Sequence, residues 1–111
     1  MAERSFPVFY CDFLRDLSIS SSKPELLAAD RLVPLAEQLL VAEDNYLGVV
    51  DANEVILQLY LSGREMVVEL LFPESTGILQ KRMPVEEALV LLENLPDEFD
   101  EALLPGATYR G

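Results

Sequence analysis

No histidine occurs anywhere in this chain, cysteine occurs once, and there are 8 basic residues against 20 acidic ones. Each shortage closes a route. Without histidine the Ser/His/Asp and Cys/His mechanisms cannot be assembled, and the commonest metal ligand is missing. The lone Cys11 builds neither an internal disulfide nor a redox pair nor a zinc site, and it accords with a reducing, cytoplasmic setting. The five glycines stand at positions 48, 63, 77, 106 and 111, a spacing that accommodates neither a phosphate-binding P-loop nor a dinucleotide fingerprint. Long apolar runs are lacking as well. Met66 to Phe72 is interrupted by Glu69 and falls far below the roughly 18 residues of a membrane span. The first seven residues carry one basic side chain and no apolar stretch of signal-peptide length. These absences predict a cytoplasmic protein with no cofactor, no metal and no enzymatic activity.

What is present is a large acidic excess over ordinary globular material. The formal net charge is −12 on 111 residues, with 50% hydrophobic and 25% charged residues. That hydrophobic fraction separates the chain from disordered acidic sequences, and the length predicts a single domain over 1–111. The charge repels nucleic acid and anionic membranes and attracts a basic protein surface at long range.

The expected fold class is α+β. Phe6, Val8, Phe9, Tyr10, Phe13 and Leu14 make an apolar opening segment that fits a strand or a short helix. Ser22-Lys-Pro-Glu25 has the form of a capping box, so helical segments are expected through Leu26, Leu27 and Asp30, with Pro34 kinking or dividing them. From Tyr46 the period changes to two. Strands are expected at about 46–50, 54–61, 64–72 and 78–83, an antiparallel meander turning at Asp51–Glu54, Ser62-Gly63 and Pro73–Gly77. Lys81 and Arg82 mark the last strand as an edge. Pro84 then opens an amphipathic helix over about 84–95, with Glu86 and Glu87 at the positive end of its dipole and Pro96 stopping it. An acidic tail from about 97, free to be flexible, completes the chain. The predicted core comprises Leu39, Leu57, Leu59, Val68, Leu70, Phe72, Leu89 and Leu92.

Several chemical signals have a simpler account. Asp51-Ala-Asn53-Glu54 begins like a calcium loop, but Ile56 occupies the position that needs glycine, so a turn explains it better. Acidic pairs such as Glu65 with Glu69, or Asp97 with Asp100, arise by chance in so acidic a chain, and a solvated face accounts for them. Cys11, among Phe9, Tyr10 and Phe13, reads as a small hydrophobe.

The outer face of the central hairpin combines Ile56, Gln58, Tyr60, Val67 and Leu71 with Glu54, Glu65 and Glu69. It is either a protein interface, apolar with an acidic rim, or a face covered by the amino-terminal aromatics Phe6, Phe9 and Phe13. The tail residues Asp97, Glu98, Phe99, Asp100 and Glu101 either dock on a partner or pack at home. The candidate partner-binding residues are therefore Glu54, Ile56, Gln58, Tyr60, Glu65, Val67 and Glu69 on the hairpin, and Asp97, Glu98, Phe99, Asp100 and Glu101 in the tail. The expected partner is a protein with a basic surface, which an acidic module would mask as immunity proteins and nuclease inhibitors do. The other class that fits is a small acidic chaperone or adaptor, compatible with a homodimer. Its likeness to secretion chaperones lies in size and charge only.

Overall fold

A computed structural model describes residues 4–110. Among them the chain forms eight strands and two short helices, in the order β1 (Ser5–Asp12), β2 (Leu17–Ile19), β3 (Glu25–Ala28), α1 (Leu32–Leu39), β4 (Tyr46–Val50), β5 (Ile56–Ser62), β6 (Glu65–Leu71), β7 (Ile78–Pro84), α2 (Val85–Glu93) and β8 (Thr108–Arg110). All pairings are antiparallel, and the strands join in one sheet in the order β2-β1-β4-β5-β6-β7-β8. β3 pairs with the far half of the β1 edge that β2 occupies.

The period of two decides which side chains enter the core. Leu47 and Val49 of β4, Leu57 and Leu59 of β5, and Val68 and Leu70 of β6 are fully buried in one cluster. The helices close that cluster from one side, with Leu32, Ala36 and Leu39 from α1 and Ala88 and Leu92 from α2. A fully buried leucine contributes about 1.5–3 kcal/mol before chain entropy is subtracted, so this layer supplies much of the folding free energy. Among the described residues no helix covers the opposite face of the sheet.

The expected fold class is overturned. Among the described residues no helical turn precedes Ala29, and the expected first helix around Leu26 and Leu27 is strand β3. Only the second half around Leu35 and Leu39 is helical, and a meander of three to four strands with one helix on it does not describe the molecule. The segment 5–12 is a strand flanked on both edges, and the sheet has eight strands. Ser22-Lys-Pro-Glu25 is not a capping box. The Ser20 hydroxyl accepts the Ser22 N–H at 3.2 Å, the Ser20 carbonyl accepts that of Lys23 at 3.0 Å, and Glu25 opens β3 against Val8. Local helix signals lose here to pairing with β1, which takes up the backbone groups along one edge of β3. Pro34 does not divide a helix either. α1 starts at Leu32, which puts Pro34 in the first turn, where its missing N–H has no intrahelical partner to lose. Of the predicted core, Phe72 and Leu89 are only half-buried.

Two buried polar residues tie distant segments together. Asp12, at the end of β1, accepts the backbone N–H groups of Leu14 and Arg15, the Asn45 amide at 3.1 Å and the Arg15 guanidinium at 2.9 Å. Asn45 also donates to the Leu39 carbonyl at 2.8 Å, satisfying a group at the end of α1, and accepts the Phe13 N–H. Burial pushes the Asp12 carboxyl up. The side-chain and backbone hydrogen bonds from Arg15, that from Asn45 and the arginine charge more than offset this, holding it below the ordinary carboxylate value.

Asp51 performs the same service at the other end of the sheet. One of its oxygens accepts the N–H groups of Asn53 and Val55, each at 2.8 Å, and the other accepts that of Phe99 at 2.7 Å. Phe99 thereby enters the core, its ring 5.8 Å from that of Phe6.

Candidate functional site

The face of the sheet that no helix covers is defined by its register. Three rows of side chains run across the strands. One row runs Cys11, Tyr46, Tyr60, Val67, Arg82, and a second runs Phe9, Gly48, Gln58, Glu69, Gln80, Thr108. The third holds Val50, Ile56, Leu71, Ile78 and Arg110. Two mainly apolar rows, ending in Arg82 and Arg110, thus flank a middle row with Glu69 near its centre.

Of the sequence-derived candidates, Ile56, Gln58, Tyr60, Val67 and Glu69 come together on this face. Glu65 lies at its hairpin end, where its carboxylate pairs with Arg82 at 3.3 Å. That ion pair neutralises part of the acidic rim the sequence led us to expect. Glu54 lies apart. It has φ +66° in the turn after Asp51, outside β5, beside an open cleft of about 600 Å³ shared with Phe72 and Glu74. The tail residues lie apart as well. Asp97 pairs with Arg4 at 2.8 Å, and Arg4 also donates to the Leu95 carbonyl and stacks over the Phe6 ring. Glu98 accepts from Asn53 at 2.7 Å, Phe99 is buried, and Asp100 accepts the Ala102 N–H of the short turn that follows. Glu101 is exposed.

The question of what the amino-terminal aromatics cover has a mixed answer. The segment extends the face as a neighbouring strand and does not lie across it. Phe6 points into the core and Phe13 is exposed, but Phe9 lies on the face, its ring over Gly48 and edge-on to Tyr46 at 6.4 Å. Gly48 has no side chain to obstruct it. A Cβ there would stand 2.1 Å from the tip of the Phe9 ring.

Glu69 is the unusual member. Only 7% of it is exposed, and its carboxylate accepts hydrogen bonds from neutral groups alone: Gln80 at 2.7 Å, and Gln58 and Tyr60 at 3.5 Å each. Among the described residues no cation lies within ion-pairing distance of it. Two of the three bonds are at the outer limit of useful length, so Gln80 supplies the one strong contact. Its environment also acts on Tyr60, whose phenol is held above the ordinary tyrosine value by burial first and by the charge and hydrogen bond of Glu69 second.

Reasoning from the sequence missed Phe9, Tyr46, Gly48, Gln80 and the two arginines of this face. The alternation of Tyr46, Gly48 and Val50 with Leu47 and Val49 was a usable signal. For Phe9 and Gln80 the signal lay in pairings that no local pattern displays. The expectation that no helix spans a membrane agrees with the helices seen among the described residues, none of which is long and apolar enough to cross one. No protein-family model, curated protein or solved structure matches the chain.

Proposed function

We propose that this protein is a non-enzymatic binding module for a protein with a basic surface, docking it on the uncovered sheet face. The observation that carries this reading is the composition of that face: aromatic and aliphatic side chains around a buried carboxylate that makes no ion pair among the described residues, with Arg82 and Arg110 at the far ends of the rows. Apolar centres with a few buried polar anchors are the usual make-up of protein interfaces. The helical side is acidic, with Glu86, Glu87 and Glu93 all exposed on α2. The net charge of −12 attracts a basic partner at long range, and the sheet face provides the contact. Masking or inhibition of the partner is the role that suits such an arrangement. Cytoplasmic residence belongs to the same proposal and rests on the single cysteine.

The test is capture of partners from extract of the native cell by the full chain, at low and at high salt, beside an Ile56→Ser/Tyr60→Ser variant with an unchanged melt. A partner held at low salt, released at high salt and lost by the variant supports the proposal. Capture that ignores salt, or that the variant retains in full, overturns it.

A further inference from the structure

We propose that Glu69 is a recess for one arginine side chain of the partner. This rests on the reading of the sheet face as the docking surface. A carboxylate this deeply buried is normally paired, because removing a charge from water without a counter-ion is costly. Among the described residues no cation is within ion-pairing distance of it, since Arg82 on the same face pairs with Glu65 instead, and the site lies on the one large face that no described helix covers. The missing cation is therefore supplied from outside.

The geometry selects arginine over lysine. Both Glu69 oxygens have spare acceptor capacity, because Gln58 reaches one and Tyr60 the other only at 3.5 Å. A planar guanidinium can take the two oxygens together with parallel N–H donors, which a single ammonium cannot do. Gln58, Tyr60 and Gln80 are all half-buried, so the carboxylate lies one side-chain layer down. Gln58 and Tyr60 can swing aside at small cost, whereas the 2.7 Å bond from Gln80 stays and keeps Glu69 in place. The half-buried Tyr60 and Tyr46 rings stand along the approach, and a guanidinium gains from lying over an aromatic face. Arg82 pairs at 3.3 Å with Glu65 at the hairpin end and makes no ion pair with Glu69.

The probe is N-acetyl-arginine-methylamide, titrated into the isotope-labelled full chain and followed by amide NMR. Its neutral isostere, the citrulline derivative, and the lysine derivative serve as comparisons. The expected result is saturable shifts at the side-chain amides of Gln58 and Gln80 and along Val67–Leu71, about tenfold weaker for lysine and absent for citrulline. In Glu69→Gln, which keeps the shape and removes the charge, these shifts vanish. Equal response in Glu69→Gln, equal response to citrulline, or shifts confined to α2 and the 97–101 segment would overturn the assignment. Capture of the partner separates this failure from failure of the docking reading. If Glu69→Gln keeps the partner and Ile56→Ser/Tyr60→Ser loses it, the recess is wrong and the face is right. If both variants keep it, both proposals fall.

Discussion

The ring of Phe9 occupies the volume that a side chain on Gly48 would fill, on the strand beside it, at a spacing that leaves no room for a single methyl group. This contact joins the amino-terminal strand to the central sheet on the uncovered face, and it buries Phe9 without any covering helix.

Gly48→Ala must therefore displace the ring. We expect a loss of about 1–3 kcal/mol in urea unfolding, the usual cost of an extra methyl in a full site. Combined with Phe9→Ala, the glycine substitution should cost far less than it does alone. Additive losses in that double-mutant cycle would show that the two residues do not share the space.

Asp12 gives the molecule an acid sensitivity of known sign. Its folded carboxyl titrates below its unfolded value, so its stabilising contribution is complete above the ordinary carboxylate range and is lost as pH falls through the folded value. The urea midpoint of the parent should fall in that acid window, and that of Asp12→Asn should fall less. Asn45→Ala leaves the Leu39 carbonyl and the Phe13 N–H without their buried partner, a loss of about 1–3 kcal/mol for an unsatisfied group.

The Asp51–Phe99 hydrogen bond bridges 48 residues and holds the carboxy-terminal segment on the body. Asp51→Asn presents either an amide donor to the Phe99 N–H or a donor to the turn. We expect a loss of about 1–3 kcal/mol and faster hydrogen exchange at Phe99, Ala102 and Leu103. Unchanged exchange at these amides would mean that the Phe6–Phe99 ring contact alone retains the segment.

Tyr60 should titrate above the ordinary tyrosine value of 10.0 when followed by tyrosinate absorbance. Because the folded value is raised, the stability it contributes is full below the unfolded value and disappears as pH rises through the folded one. In Glu69→Gln the titration should move down towards 10.0, but not all the way, since burial is the larger cause. An unchanged Tyr60 titration in that variant would deny the coupling on which the central row depends.

The amino-acid order by itself determined the residues that make the core of the central strands. Leu57, Leu59, Val68 and Leu70 fall at every second position, opposite Gln58, Tyr60 and Glu69, and a period of two puts them on one face. It also determined the chemistry that is absent, because counts of histidine, cysteine and glycine do not depend on folding. The tertiary structure alone decided the rest. β1 shows no alternation to read because it buries Phe6 and Val8 on one face and Phe9 on the other, and its partners lie about 20 and 40 residues away in sequence. The capping-box pattern at Ser22 was locally sound and was overruled by that pairing. The same holds for the site. Glu69 was visible as one acid among twenty, but its lack of a direct ion pair follows from which strands flank it, with neutral Gln58 and Gln80 as its cross-strand neighbours, and that is a property of the sheet.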